Sequence, residues 1–434
     1  AQNIFLTGVT GFLGAYVLAE LLRRCPDATV HCLIRIGASD YKKSGLSDPA
    51  HYARSRLRQN LEKYALFQEC AHESPMRVYP VVVGDLAKPR FGLTVSKFQE
   101  LGRTIDAIFH CGAYVHSLYP YSRLRAANVG GTIEILRLAT VRCREAAGAA
   151  ERRIDGGESD DKSDGKDGMP DGAPSPVFYV SSLSVFPGGS AETISDDAST
   201  YELPLAVLSQ LGEGYAQTKV VAERLVVEAG RRGVPVKIFR PGRIIGHSLT
   251  GATSIEDTFC RIIQGCLQLG ACPDLDWPVD MNPVDYVATA IVEASFVGFG
   301  RNGNATATAH WHCYHMYNPA PWSLQRLFKW LISDYGYRGQ VEILEYAEWR
   351  ARLEKACSTS NKNALFPLLP IFPRDPAEVP TSADYPTFDC SRTFGLMGEV
   401  MRRRAGGQRG GGGDEGEAGV GTGLAGGRSG GEVP

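Results

Sequence analysis

Short apolar runs alternate with amphipathic stretches along the first 250 residues of the chain. The runs Asn3–Thr7, Val30–Arg35, Val78–Gly84, Ala107–Cys111, Val177–Ser181 and Val236–Arg240 have the length of buried strands. Between them lie helical patterns at Gly14–Arg24, Ala53–Tyr64, Val95–Leu101, Thr132–Arg144 and Glu213–Arg231. In the first of these, Gly14, Leu18, Leu21, Leu22 and Cys25 recur at 3.6-type spacing and make one apolar face. Strands that alternate with helices imply βαβ units and a parallel sheet. After Gly246 the pattern loosens, with helices expected at Ile255–Leu269, Val284–Val297 and Ser323–Tyr335 and prolines crowded into Phe366–Pro386. The expected fold class is α/β: a doubly wound parallel sheet over residues 1–250, followed by a smaller substrate-facing domain over 251–402.

Two segments lack the apolar content to fold. Between Gly148 and Pro176 the large apolar residues are Ile154 and Met169, among many Asp, Gly, Lys and Ser, so 148–176 reads as a disordered insertion. From Arg403 to Pro434, 14 of 32 residues are glycine, which reads as a flexible tail over 403–434. Composition adds limits rather than function. With 46 basic against 48 acidic side chains, charge gives no argument for nucleic acid or membrane. No apolar run reaches the ~18 residues that span a bilayer, and no secretory leader precedes Ile4-Phe5-Leu6. Eleven cysteines without any C-x-x-C suit reduced thiols in a cytoplasmic setting better than a disulfide framework. Because Ala1 leads into a strand almost at once, the chain reads as a domain cut from something larger.

Thr7-Gly8-Val9-Thr10-Gly11-Phe12-Leu13-Gly14 places a G-x-x-G-x-x-G between a strand and a helix start. Glycines there make a tight turn and admit a pyrophosphate to the helix N-terminus, the Rossmann arrangement. Thr7, Gly8, Thr10, Gly11, Phe12, Leu13 and Gly14 are therefore candidate cofactor contacts. About twenty residues on, where an acidic residue would select NAD, stands Arg35, whose guanidinium suits the 2′-phosphate of NADP. Gly84-Asp85-Leu86 follows the third strand, where Asp85 can accept from an adenine amine or merely close a loop. His110, at the fourth strand end, reads as a packed residue without chemistry.

Tyr215 and Lys219 stand four apart in an expected helix and so share a face. A phenol titrates near 10; an ammonium one turn away is expected to lower that value and so fit the phenol for proton transfer. Upstream, Ser181, Ser182 and Ser184 compete to place a hydroxyl at a strand end, where it can bond a carbonyl oxygen gaining charge. His310, His312, Cys313 and His315 invite a metal reading, but no acid or second cluster completes a zinc site; no metal is expected.

Taken together, TGVTGFLGAYVLAELLRR (7–24), HCLIR (31–35), GDL (84–86), HCGAYV (110–115), LRAANVGGT (124–132), YVSSLSV (179–185), YAQTKVVAERLV (215–226), RPGRIIGHSLTGA (240–252) and NPVDYVATAI (282–291) resemble the extended short-chain dehydrogenases/reductases. Within that superfamily the chain is most similar to the thioester reductase domains of nonribosomal peptide synthetases, carboxylic acid reductases and fungal aminoadipate reductases. The resemblance implies a triad of Ser182, Tyr215 and Lys219, with serine where the family often has threonine. It also implies a structural asparagine at Asn128, and a nicotinamide-flanking segment in which Pro241 and Arg243 join Asp85, Leu86, Tyr215 and Lys219 as cofactor contacts. The implied reaction is NADPH-dependent reductive release of an acyl or peptidyl thioester from the phosphopantetheine arm of an upstream carrier protein, giving an aldehyde and in some cases the alcohol. A monomeric domain is expected, with no nucleic-acid or membrane partner. The alternative is a free-standing extended reductase or epimerase acting on a small metabolite or acyl-CoA.

Overall fold

The computed structural model describes residues 1–72, 80–147, 172–188, 193–204, 206, 209–298, 311–337, 339–381 and 384–407. Seven parallel strands form the main sheet: β1 Asn3–Thr7, β2 Thr29–Ile34, β3 Val81–Val83, β4 Ala107–His110, β5 Val177–Val180, β6 Val236–Pro241 and β7 Trp311–Met316. Their spatial order is β7-β6-β5-β4-β1-β2-β3. The chain leaves β1 toward β2 and later returns to its other side with β4, so the carboxyl ends of β1 and β4 border the crevice where such sheets bind ligands.

Alternation along the strands sorts the two faces. Ile4 and Leu6 of β1 join one apolar core and Phe5 the other. The first core is closed by α1 (Phe12–Arg24), α2 (Pro49–Lys63) and a helix from far along the chain, Val284–Phe296. The second is closed by helices Val95–Thr104, Gly131–Ala139 and Gly214–Arg231. All six expected strands are present: Asn3–Thr7 has the expected bounds, Val236–Pro241 is one residue longer, and the other four are trimmed or shifted at their ends.

Residues 251–402 do not form one body apart from the first. Helix Val284–Phe296 packs along α1, β7 completes the main sheet beside β6, and helix Ser391–Gly407 covers Val284–Phe296. Burial explains this: all seven residues of Ala288–Ala294 are buried, as in a helix held between two layers. Helices Thr258–Leu269, Leu324–Ser333 and Tyr346–Thr359 gather around Phe328, Trp349 and Leu353 as a third core.

Sequence reading also ended the ordered chain too soon. Helix Ser391–Gly407 runs past Arg403, and Arg403 and Arg404 pair with Glu293 and Glu20 at 3.5 and 2.9 Å. At the other expected disordered segment, Ser175 is buried and bonds Ala139 O and Ile105 O. The stretches 148–171 and 408–434, and His310, lie outside the described residues. Among the described residues, no helix is long and apolar enough to cross a membrane.

Candidate active site

The glycine turn after β1 has no room for side chains. Gly8 has φ +80°, and a Cβ there would stand 2.7 Å from Gly112 N. A Cβ on Gly14 would stand 2.1 Å from Gly8 O, so helix α1 can approach the turn only as glycine. Gly11 is the N-cap and offers no capping side chain, which leaves the first-turn amides of α1 open to an anion. Asn60 of α2 donates to Val9 O and Gly11 O at 3.1 and 3.2 Å and fixes the turn from outside. Thr10, Phe12 and Leu13 are partly exposed along the same turn, and Phe12 packs on Tyr64.

Thr7 locks this turn to the next strand. Its Oγ1 accepts from Gly112 N at 3.0 Å and therefore donates to His110 Nδ1 at 2.7 Å. The opposite nitrogen, Nε2, carries the proton and donates to Thr132 Oγ1 at 3.3 Å, which in turn donates to Asn128 O. Burial, with help from the Lys219 ammonium, pushes His110 down to about 3, so the ring stays neutral in this role. Leu86 fills the space against Gly112 and Gly131. Asp85 uses Oδ1 to accept from Ala87 N at 3.0 Å, so one of its oxygens closes the loop.

Arg35 lies exposed just beyond β2, at the same edge. Arg56 donates to the Arg35 carbonyl, which brings a second guanidinium to this end of the crevice. Neither Asn60 nor Arg56 stands at a spacing that a sequence pattern marks; both reach the site from the helix after β2.

The second half of the site is built on Gly214–Arg231. Its start is pressed against the loop after β4: a Cβ on Gly214 would lie 2.4 Å from Tyr119 O and Tyr121 N. Asn128 sits in a π-helical turn, Ala126–Gly130. Its Oδ1 accepts from Tyr114 N at 2.7 Å, and its Nδ2 donates to Tyr114 O and to Thr218 Oγ1. Lys219 is buried; its Nζ donates to Val180 O at 2.6 Å and lies 4.9 Å from the Tyr179 ring centre. Ser182 comes two residues after that carbonyl. Its Oγ accepts from Ser184 N and Ser184 Oγ at 3.2 and 2.9 Å, which leaves its own proton available to donate. Ser181 is buried instead. Ser182 and Ser184 are both half-exposed, and the bond between them spends the proton of Ser184 and not that of Ser182.

Tyr215 departs from expectation in its electrostatics. Burial pushes its phenol up, and the Glu213 carboxylate adds to the effect. Lys219, whose Nζ bonds Val180 O, is not among the groups that shift the phenol; burial lowers Lys219 itself to about 8. Pro241 ends β6, and Gly242 and Arg243 turn beneath Asp280, whose Oδ2 lies 1.5 Å from where a Gly242 Cβ would be. Arg243 stacks over Phe259 at 5.1 Å, between the two bodies. Among the described residues no cluster of His, Cys, Asp and Glu has the geometry of a metal site. His315 bonds Arg240 instead, and all eleven cysteines are free thiols.

The family described as male sterility protein, an NAD-binding domain, matches residues 6–291. The chain is 35% identical to glycine betaine reductase of Emericella nidulans over 354 residues, 81% of this chain and 23% of that protein. To L-2-aminoadipate reductase of Saccharomyces cerevisiae it is 34% identical over 377 residues, 85% of this chain and 23% of that protein. It thus spans about a quarter of the curated relatives it matches. The terminal R domain of the myxalamid PKS-NRPS biosynthetic pathway is 36% identical, with a TM-score of 0.70 over 92% of this chain and 85% of that one.

Proposed function

The chain belongs to the male sterility protein family of NAD-binding domains and is an oxidoreductase of the extended short-chain type with a nicotinamide cofactor; on that premise we propose that it reduces a carrier-bound acyl or peptidyl thioester with NADPH. The observation that carries the reading is the 2.6 Å bond from Lys219 Nζ to Val180 O, since it ties the Tyr215–Lys219 helix to the strand end that bears Ser182. Arg35, with Arg56 beside it, supports NADPH over NADH, because two guanidinium groups favour a phosphate where a ribose hydroxyl would favour a carboxylate. The glycine turn supports a dinucleotide because it packs β1, α1 and the loop after β4 backbone to backbone, where Cβ atoms on Gly8 and Gly14 would strike Gly112 and Gly8, and so brings the open first turn of α1 to the crevice. Thr7, Thr10, Gly11, Phe12, Leu13, Asp85, Leu86, Pro241 and Arg243 line the remainder of the proposed cofactor path.

The bound cofactor supplies a hydride to the thioester carbonyl carbon. Ser182, with its proton free, donates to the carbonyl oxygen and polarises it. Tyr215, held protonated by burial and by Glu213, gives its proton to that oxygen as charge collects there. Lys219, one turn along the same helix, gives a proton to the phenolate after each turnover and recovers one from solvent. The hemithioacetal then breaks its C–S bond, releasing the pantetheine thiol and an aldehyde. The R-domain relative supports an upstream carrier as the partner, and the free thiols support a reducing compartment such as the cytoplasm.

The test is turnover of acyl-pantetheine thioesters, followed at the nicotinamide absorbance with products identified by mass. Tyr215→Phe is expected to abolish aldehyde formation while NADPH affinity stays within a few-fold. A fully active variant would overturn the acid role. Turnover of free sugar nucleotides but of no thioester would replace the substrate reading with that of a metabolite reductase or epimerase.

A further inference from the structure

One turn beyond Lys219, and on the same helix face, stands Glu223, fully buried like the arginine it meets. Arg240 of β6 grips its carboxylate twice, Nη2 to Oε1 at 2.7 Å and Nε to Oε2 at 3.2 Å. Thr200 Oγ1 donates to the same Oε1 at 2.8 Å. Arg240 spends its remaining Nη1 on Ala198 O and His315 Nε2, at 2.8 and 2.9 Å. His315 accepts there, so its proton lies on Nδ1, which donates to Asp389 O at 3.1 Å. Charges taken this far out of water are costly unless they do something a hydrophobic pair would not. Nothing in the proposed chemistry touches them.

We propose that Glu223 is a positioning residue for reduction: clamped by Arg240 one turn beyond Lys219, its carboxylate is the counter-charge for the ammonium that Val180 O holds at the end of β5. The proposal rests on Lys219 acting in catalysis as described above. Lys219 has few other counter-charges. His110 and Cys111 face it from the end of β4, the first a neutral ring and the second a thiol that burial pushes up to about 12. From β5 it meets the Tyr179 ring and a carbonyl, and on its own helix Tyr215 and Glu223. Among the described residues Glu223 is thus the one carboxylate that acts on Lys219, where burial of the ammonium is otherwise opposed by the Cys111 thiol. Arg240 acts in the opposite sense, since its positive charge neutralises part of what Glu223 offers.

That opposition makes the test specific. The alkaline limb of kcat/KM reports loss of the charged lysine. Glu223→Gln is expected to move that limb to lower pH by about one unit or more, and Arg240→Met to move it to higher pH. A merely structural role would lower activity in both variants without displacing the limb, or displace it the same way in both; either result overturns the proposal. If Glu223→Gln fails to fold, the double variant Glu223→Gln/Arg240→Met, which leaves no buried charge unpaired, carries the same measurement and is expected to place the limb below that of the unaltered protein. Should Lys219→Ala itself keep full activity, the underlying reading fails; should Lys219→Ala be inactive while both limbs stay fixed, the reading stands and Glu223 alone is misassigned.

Discussion

At the residue scale the least ambiguous chemistry lies at the edge that would take the adenosine end of the cofactor. Arg35 is exposed and free of helix or sheet duties, so its removal should leave the fold intact. Bonds to charged groups contribute roughly 1.5–3 kcal/mol, or about 10–100-fold in affinity. Arg35→Ala is expected to weaken NADPH by that factor and NADH by less than about two-fold, read by fluorescence titration; equal losses for both would make Arg35 a structural residue. Arg35 could be found from sequence because strand, glycine turn and spacing fix the position. Arg56 and Asn60 could not, because they approach through space from a helix whose rotation no spacing rule sets. The direction in which Tyr215 is shifted could not be read for a related reason: the four-residue spacing to Lys219 is visible in sequence, but the burial that raises the phenol is set by the elements packed around it.

Among elements, the glycine turn and α1 act as one piece. Because Gly14 faces backbone at 2.1 Å, not a flexible side chain, Gly14→Ala must push α1 away from β1. Cofactor affinity should fall by at least about tenfold with little change in far-ultraviolet circular dichroism, and unchanged affinity would mean that the turn does not hold the pyrophosphate. Elements of this half were legible because each is local: one run, one face, one cap. The later elements were not. Val284–Phe296 reads as a helix in sequence, yet its membership in the first core depends on α1, some 270 residues earlier. β7 was legible as a histidine-bearing strand but not as the edge of the main sheet, since pairing with β6 is non-local. The site followed the same division: Ser182, Tyr215 and Lys219 stand in motifs, whereas Arg240 and His315 acquire their partners only when β6 and β7 lie side by side.

For the whole molecule, the buried histidines give stability a direction in pH. His110 and His315 are pushed from an unfolded value near 6.5 to about 3. Between those values the unfolded chain binds more protons, so stability rises with pH and is lost on acidification from about 6.5 toward 3. Each histidine contributes a slope on the order of 1 kcal/mol per pH unit. Asp280, raised to about 6, works the other way between about 4 and 6, because there the folded form holds the extra proton. With two histidines against it, denaturant midpoints should still fall between pH 6.5 and 5; midpoints that rise would show the histidines to be solvated. A fragment ending at residue 300 should be insoluble on its own, since it lacks β7 and leaves the edge of β6 open.

The placement of β7 has a further consequence, for the time at which the protein can come into being. A ribosome delivers the glycine turn first and the phenol two hundred residues later, at ~5–20 residues per second. The edge strand beside β6 comes later still, and the helix over Val284–Phe296 is the last of the described elements. For many seconds the nascent chain therefore carries a finished dinucleotide cradle on an unfinished sheet. Cofactor that met it then would bind a half-built protein, and a chaperone that shields the bare edge of β6 would have its work ended by the arrival of Trp311–Met316.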